Sequence, residues 1–362
     1  MARPRVPPPP GRLRLLSVGP IPPEWGGRLR GGVTRFHATL LDELRTRPWR
    51  HRIEPIGVLI PPPQRVKRWR ADRRAPLPIY MQPEGGRPRR FTGILLARLE
   101  PDVVLINNLA AFNGARFARI QAELAPTLPT AAVIHEWTAI RNKRGTERGA
   151  RYLEATRRGL AAVDAVVFPS DHTRRVGREE FGLDYPSVAE VIPNPLQPAF
   201  ADQDVRTDRD RRGVAFVGSF NPRKNPGAVL EAAAEIPGLE VVMQGRGPLE
   251  EDLRERVRAL GIERRVAFPP YVAPPDHVAA VIGIMERAEL VCLPSRSESF
   301  GLVMIEALAA GAPVVGYGPT LREIRERVGI DVGEPVAAQS GDGEDLAAAG
   351  EGARLVEACA QP

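Results

Sequence analysis

Glu298 and Glu306, with seven residues between them, stand in the stretch Pro294-Ser295-Arg296-Ser297-Glu298-Ser299-Phe300-Gly301-Leu302 and its continuation through Ala307 to Gly311-Ala312-Pro313-Val314-Val315. The first glutamate lies in a loop leaving an apolar run. The second falls about a turn and a half into the helix that follows. Small residues in such a loop let backbone N–H groups approach a ligand, and the helix N-terminus adds positive partial charge. Carboxylates placed there accept hydrogen bonds from vicinal hydroxyls, which means a sugar or a ribose. The same residues also fit a capping box, with Ser295 or Ser297 as N-cap and a glutamate facing the helix dipole. Spacing alone leaves both readings open.

Positioning these groups requires a framework of strands and helices. The apolar run Leu13 to Val18 is followed by glycines and prolines, and then by Val33, Phe36, Leu40, Leu41 and Leu44 on one helical face. Strand, glycine loop and helix are how an α/β nucleotide-type domain opens. Further strand-like runs are Ile56–Ile60, Val103–Ile106, Ala131–His135, Ala165–Phe168 and Val188–Ile192, with helical patterns such as Phe117 to Leu124 and Tyr152 to Ala162 between them. A lone histidine is usually structural, but His135 stands at the carboxyl end of its strand, where a side chain can face a ligand, so both readings stay open. Residues 61–93 read instead as a long basic, Pro/Gly-rich loop. Residues 196–212 are polar and charged and read as a linker. Alternation then restarts with Val214–Val217, a helix near Pro226 to Glu235, Leu239–Gln244, a helix near Glu250 to Leu260, Val266–Phe268, a helix Pro275–Met285, Leu290–Leu293, a helix Leu302–Ala310 and Pro313–Val315. The pattern therefore predicts two doubly wound domains, 1–195 and 213–336, with a ligand in the cleft between them and a tail over 337–362.

The chain has 362 residues, 43% hydrophobic and 26% charged, which suits a globular protein of two cores and excludes general disorder. No apolar run is long enough for a membrane span, and the N-terminus lacks the apolar region of a secretory signal. Two cysteines, Cys292 and Cys359, exclude a disulfide scaffold and point to a reducing compartment. Residues 1–100 hold 21 Lys and Arg against 7 Asp and Glu, and the rest 30 against 37. That local excess fits an anionic partner such as a lipid surface, and equally fits charges that are simply solvated. Nucleic acid is not expected, because the basic residues carry no interleaved aromatics. The five histidines have no metal-ligand spacing.

The stretch Pro294 to Val315 resembles the signature of the retaining GT-B glycosyltransferases of family 4, the "glycosyl transferases group 1" type, at every specified position. The resemblance implies that Glu298 contacts hydroxyls of the donor sugar and that the amides of Phe300, Gly301 and Leu302 hold sugar and phosphate. It further implies that Glu306 accepts from the ribose. Ala215-Phe216-Val217-Gly218 and the later Lys224 resemble the family's strand, glycine and diphosphate-binding lysine. Ser219 stands where the family has an arginine, a departure from the pattern, and Arg223, next to Lys224, is a candidate to supply the missing charge. Gly245, Gly247 and Pro248 resemble the G-x-G-P turn, and the backbone of Pro270 to Val272 falls where the family reads the base. Gly31-Gly32-Val33 resembles the glycine loop beside the diphosphate, and His135 the strand-end histidine near the donor sugar. Asp164 to Ser170 and Ile192 to Asn194 resemble stretches that close the first domain, with Pro195 replacing a glycine.

The implied fold is GT-B, two Rossmann-like domains facing across a cleft: an acceptor-side domain, then a nucleotide-sugar-binding domain. The tail is expected to form part of a crossover helix. The implied reaction is retaining transfer of a sugar from a nucleotide-sugar donor to a sugar, lipid or other hydroxyl acceptor, without metal or cofactor. The expected setting is cytoplasmic, with peripheral contact to an anionic membrane. Two rivals stay open: a catalytically weak GT-B protein acting as a binding partner, and a GT-B nucleotide-sugar epimerase, which needs an acid/base pair of its own.

Overall fold

Near-continuous apolar strands are the mark of parallel sheets covered on both faces, and both halves of the chain are built this way. A computed structural model describes residues 11–22, 25, 31–46, 52–60, 76–81, 87–110, 112–201, 210–272, 276–328 and 333–336. The chain divides into two units at Pro195/Leu196.

In chain order the first unit contains β1 (Leu13–Val18), α1 (Gly32–Thr46), β2 (Ile53–Ile60), β3 (Ile79–Met81), α2 (Pro88–Leu99), β4 (Val103–Asn107), α3 (Phe112–Leu124), β5 (Thr130–Val133), α4 (Thr138–Arg141), α5 (Glu147–Leu160), β6 (Ala165–Phe168), α6 (Asp171–Glu179) and β7 (Val188–Val191). Its strands form one parallel sheet in the order β3-β2-β1-β4-β5-β6-β7. Leu16, Val18, Val104, Ile106, Ile134 and Phe168 form the heart of its core.

The second unit contains α7 (Pro198–Ala201), β8 (Val214–Val217), α8 (Gly227–Glu235), β9 (Val241–Gln244), α9 (Glu250–Ala259), β10 (Val266–Ala267), α10 (His277–Arg287), β11 (Leu290–Leu293), α11 (Leu302–Ala309), β12 (Val314–Tyr317), α12 (Gly318–Val328) and β13 (Gly333–Val336). Its parallel sheet runs β10-β9-β8-β11-β12-β13. The period of two along each strand feeds a core on either face. Ala215, Val217, Val291, Leu293 and Val314 enter one, and Val214, Phe216, Cys292 and Val315 the other.

Each sheet starts at an inner strand, grows outward to one side, and then returns to grow the other way. The reversal falls between β1 and β4 in the first unit and between β8 and β11 in the second. In open α/β sheets the crevice outside the carboxyl ends of those two strands is where ligands bind.

Two expectations need correction. The segment 61–93 is not wholly a loop. Ile79–Met81 pairs with β2 in register with Val58, Leu59 and Ile60, and α2 begins at Pro88. Flanking prolines hide both signals, although a proline at the first helical position is itself a start signal. Thr92, Leu95 and Leu96 are the buried face of α2. The expected linker 196–212 likewise holds α7, whose Phe200 is buried in the second unit's core. Residues 61–75 of the segment 61–93, with its basic stretch, and the tail 337–362 lie outside the described residues. Among the described residues no helix is long and apolar enough to cross a membrane.

Candidate functional site

In the second unit the buried Val-Ala-Phe-Val of β8 delivers the chain to Gly218, whose N–H donates to the Gln244 carbonyl at 2.9 Å. The turn after β9 presses closely on this loop. A Cβ at Gly245 would collide with the Gly218 carbonyl, and one at Gly247 with that of Phe220. Those two glycines are therefore close-approach positions. Phe220, buried against Phe216 and Phe268, pins the loop into the core. The Asn221 side-chain oxygen then accepts from the Lys224 N–H at 3.0 Å, and Asn225 turns the chain with a φ of 52°. Asparagine is the side chain that best tolerates this left-handed conformation.

The loop after β11 meets this one from the other side of the reversal. The Arg296 N–H donates to the Arg223 carbonyl at 2.8 Å, and the Arg223 guanidinium donates to the Ser297 carbonyl at 2.9 Å. At the centre lies the buried Glu298 carboxylate. Its Oε1 accepts from the Lys224 ammonium and from the Ser295 hydroxyl, the latter at 2.7 Å. Its Oε2 accepts from Arg223 at 3.3 Å. Burial pushes this carboxyl up, but Lys224 and Arg223, with the bonds from Lys224 and Ser295, outweigh it and hold the pKa below the usual glutamate value. Glu298 is thus ionised at neutral pH, and with two cations around one carboxylate the cluster carries a net positive charge.

Gly301, at a φ of 75°, turns the chain into α11, and a Cβ there would collide with Met304. Because α11 starts at Leu302 behind Gly301, which provides no side-chain cap, the capping-box reading of Ser295 and Ser297 is overturned. Ser295 holds Glu298 instead. Phe300 is buried, Gly301 and Leu302 are half-buried, and Glu306 is buried on α11 with Met304 and Ala307. Gly218 is half-buried and Ser219 is exposed.

The first unit carries a second polar group at its own strand reversal. Gly31, at a φ of 149°, precedes α1, which begins at Gly32. Behind this loop the Ser17 hydroxyl meets His37 Nε2 at 2.6 Å, and His37 Nδ1 meets the Pro20 carbonyl at 2.8 Å. A carbonyl only accepts, so His37 carries its proton on Nδ1 and Ser17 donates to Nε2. His135, just beyond β5, is also buried. Its Nε2 lies 2.6 Å from Asn107 Oδ1, and its ring packs edge-on against Phe36 with centroids 4.6 Å apart. Burial lowers His37 to about 4. Burial, with the nearby His37, lowers His135 to about 3. Both rings are therefore neutral near pH 7, and His135 offers no cation to a ligand.

Glu298, Lys224 and Arg223 thus come together in one cluster, with Gly218, Ser219, Phe300, Gly301, Leu302 and Glu306 in the loops and helix around it. Gly31, Gly32 and His135 form a separate group in the first unit. Sequence reasoning missed Ser17, His37 and Asn107 entirely, and saw Ser295 only as a cap. The signal available was a polar residue at the end of an apolar strand, which Asn107 after Val103–Ile106 provides.

Comparison with known proteins gives this geometry a family. A model described as "Glycosyltransferase Family 4" matches residues 30–200, and one described as "Glycosyl transferases group 1" matches residues 199–324. The D-inositol 3-phosphate glycosyltransferases of Mycobacterium tuberculosis (strain ATCC 25618 / H37Rv) and Mycobacterium bovis (strain BCG / Pasteur 1173P2) are each 36% identical over 165 residues. That match spans 42% of this chain and only 33% of each relative. Among solved structures, Anabaena Alr3699/HepE in complex with UDP-glucose superposes with a TM-score of 0.62 at 17% identity, over 84% of this chain and 80% of that one. The apo form of the lipopolysaccharide outer core galactosyltransferase WaaB gives a TM-score of 0.62 at 15% identity, over 91% and 87%. The two family models meet at the boundary between the two Rossmann-like units and together span residues 30–324, most of the chain, so the chain belongs to glycosyltransferase family 4, the glycosyl transferases group 1 type, with the GT-B fold.

Proposed function

We propose that the chain is a retaining glycosyltransferase that moves a sugar from a nucleotide-sugar donor to a hydroxyl of a glycan, lipid-linked or small-molecule acceptor, without metal or cofactor. The observation that supports this best is the grouping of Lys224, Arg223, Ser295 and Glu298 where the second sheet reverses its strand order.

The donor's diphosphate suits the net positive charge of this cluster, and its own charge grows as the glycosidic bond breaks. Lys224, Arg223 and the amides of Phe300, Gly301 and Leu302 at the start of α11 are fixed before the reaction, so they stabilise that developing charge without reorganising. Ionised Glu298 has lone pairs for the sugar hydroxyls, and Glu306 accepts from the ribose. Arg223 supplies the second cation that Ser219 does not. In the first unit the Gly31–Gly32 loop offers backbone amides, and His135 a neutral ring, to the same class of ligand.

For retention, the acceptor oxygen attacks on the face the phosphate leaves. The bond from the anomeric carbon to phosphate breaks, the bond to the acceptor forms, and the departing phosphate oxygen takes the acceptor's proton. No side-chain base is required. The reaction is placed in the cytoplasm, with the basic N-terminal hundred residues in peripheral contact with anionic lipid.

A panel of nucleotide sugars beginning with UDP-glucose, with and without D-inositol 3-phosphate, tests this reading. Release of nucleoside diphosphate that depends on Lys224 is the expected result. Absence of both release and a thermal shift across the panel would overturn it.

A further inference from the structure

The chain leaving β5 turns through α4 into α5 and gathers cations on the way. Between Thr138 and Tyr152 stand Arg141, Lys143, Arg144, Arg148 and Arg151 against a single acid, Glu147. In a parallel sheet this corner lies at the carboxyl edge of the strands, the edge where ligands bind. The acids of the region are taken by other arginines. Glu180 pairs with Arg141 at 2.7 Å, and Glu147 with Arg151 at 3.8 Å. Glu154, further along α5, pairs with Arg157 and Arg158. Among the described residues no carboxylate pairs with Lys143, Arg144 or Arg148.

Lys143 and Arg148 are held instead on one aromatic ring. Lys143 Nζ lies 5.3 Å from the centroid of Tyr152, and the central carbon of the Arg148 guanidinium 5.8 Å from it. The ring's quadrupole attracts each cation but cancels none of its charge. Two like charges sharing one ring repel each other, so the corner holds positive potential that an acid would otherwise neutralise. The backbone keeps it in place. Gly145, at a φ of 75°, turns the chain, and the Thr146 hydroxyl donates to the Lys143 carbonyl at 2.7 Å. The Thr146 oxygen also accepts from the Gly149 N–H at 3.0 Å, which caps α5. Gly149 is buried, and a Cβ there would collide with the Lys143 carbonyl. Arg148 and Tyr152 stand one turn apart on the same face of α5. The two cations are thus brought together before any ligand arrives.

We propose that Lys143 and Arg148, steadied by Tyr152 and with Arg144 between them in sequence, form a binding site for a phosphate group, carried by a soluble ligand or by a lipid headgroup. The guanidinium fork matches two phosphate oxygens, and the ammonium acts as a point charge beside it. A phosphate monoester carries close to two negative charges near pH 7, which balances the pair. The site lies wholly in the first unit. Assigning that phosphate to the acceptor rests on the transferase reading above; the anion site itself does not.

The chain has three lysines, Lys67, Lys143 and Lys224, so the full chain labelled with ¹³C-lysine gives three ε-methylene signals, assigned by substitution. The probes are inorganic phosphate, glucose 6-phosphate against glucose, and vesicles of phosphatidic acid against phosphatidylcholine. At low ionic strength inorganic phosphate should move the Lys143 signal saturably. A matching response to glucose 6-phosphate places the phosphate on a soluble ligand, and a response to phosphatidic acid vesicles without one to glucose 6-phosphate places it on a lipid. Arg148→Gln should weaken phosphate binding about fivefold, as loss of one exposed charged partner does. Arg148 is exposed, so this variant does not depend on the fold surviving a core change. Tyr152→Leu should weaken binding likewise by releasing both cations. Arg157→Gln/Arg158→Gln removes two charges from the same helix and should leave the Kd within about twofold. A Lys143 signal moved by none of the phosphate probes, or moved as far by their electrically neutral counterparts, would overturn the proposal. So would a loss of binding in Arg157→Gln/Arg158→Gln as large as that in Arg148→Gln. Lys224 reports the second unit in the same spectra: if UDP and GDP leave it unmoved while phosphate moves Lys143, the transferase reading fails and the phosphate site stands.

Discussion

Replacing Glu298 by alanine should destabilise the second unit while freeing its cations for nucleotide. The Glu298 side chain is 9% exposed and Lys224 16%, so removing the carboxylate strands a largely buried ammonium. Breaking one side of a buried pair costs about 3–5 kcal/mol. Arg223 is 33% exposed and its share is screened by water, so the low end applies, about 3 kcal/mol. A nucleoside diphosphate binds the same cations and should restore part of the loss. At about 100 times its Kd it returns about 2.7 kcal/mol. All four tryptophans, Trp25, Trp49, Trp69 and Trp137, lie in the first unit, so fluorescence would follow the wrong half of the molecule. The suitable assay is hydrogen exchange on peptides from β8, β11 and α11, with and without nucleotide, alongside calorimetric titration. Protection should fall in Glu298→Ala and recover with nucleoside diphosphate, whose affinity does not drop although transfer does. Protection within about 0.5 kcal/mol of wild type, or nucleotide affinity that falls in step with transfer, would refute the reasoning.

Lys224→Ala should lower turnover more than nucleoside diphosphate affinity, because charge grows as the bond breaks; turnover surviving within about threefold, under 1 kcal/mol, marks Lys224 as a mere structural partner of Glu298. Glu306→Ala should weaken nucleotide binding by about 1.5–3 kcal/mol, the worth of a hydrogen bond to a charged group, and unchanged calorimetric affinity removes that role. Acid should weaken the first unit: with His37 lowered to about 4 and His135 to about 3, the unfolded chain binds protons first as pH drops below about 6.5, so stability present above that value is lost on the way down. His37 alone should cost about 2 kcal/mol between pH 7 and 5, and a tryptophan-monitored urea midpoint that stays flat over this range rules out buried neutral rings.

The second unit was legible because each of its buried strands is an apolar run of its own. Val214–Val217 and Leu290–Leu293 need no partner to be recognised, and the glutamate stretch follows the latter directly. The reversal of strand order between them was not legible. It alone explains why Lys224 reaches Glu298 across 74 residues of sequence. In the first unit, β3 has three residues behind Pro78, and its evidence lies in pairing with β2 rather than in its own pattern. The polar group around His135 was hidden for a similar reason. Ser17, His37, Asn107 and His135 come from four separate elements, brought together only because β1 and β4 are neighbours. Local periodicity carries no trace of such a meeting. Ser295 was visible but misassigned, because α11 starts at Leu302 behind Gly301, too far along the chain for Ser295 to cap it.

The central claim is that the Lys224–Glu298 cluster serves transfer of a sugar from a nucleotide. The most direct measurement is a proton NMR time course of the anomeric signals of a nucleotide sugar incubated with the full chain and acceptor. The donor signal should decay as nucleoside diphosphate appears, the product's anomeric configuration should equal the donor's, and Lys224→Ala should slow both together. A product of inverted configuration, or donor consumption indifferent to Lys224, would contradict it.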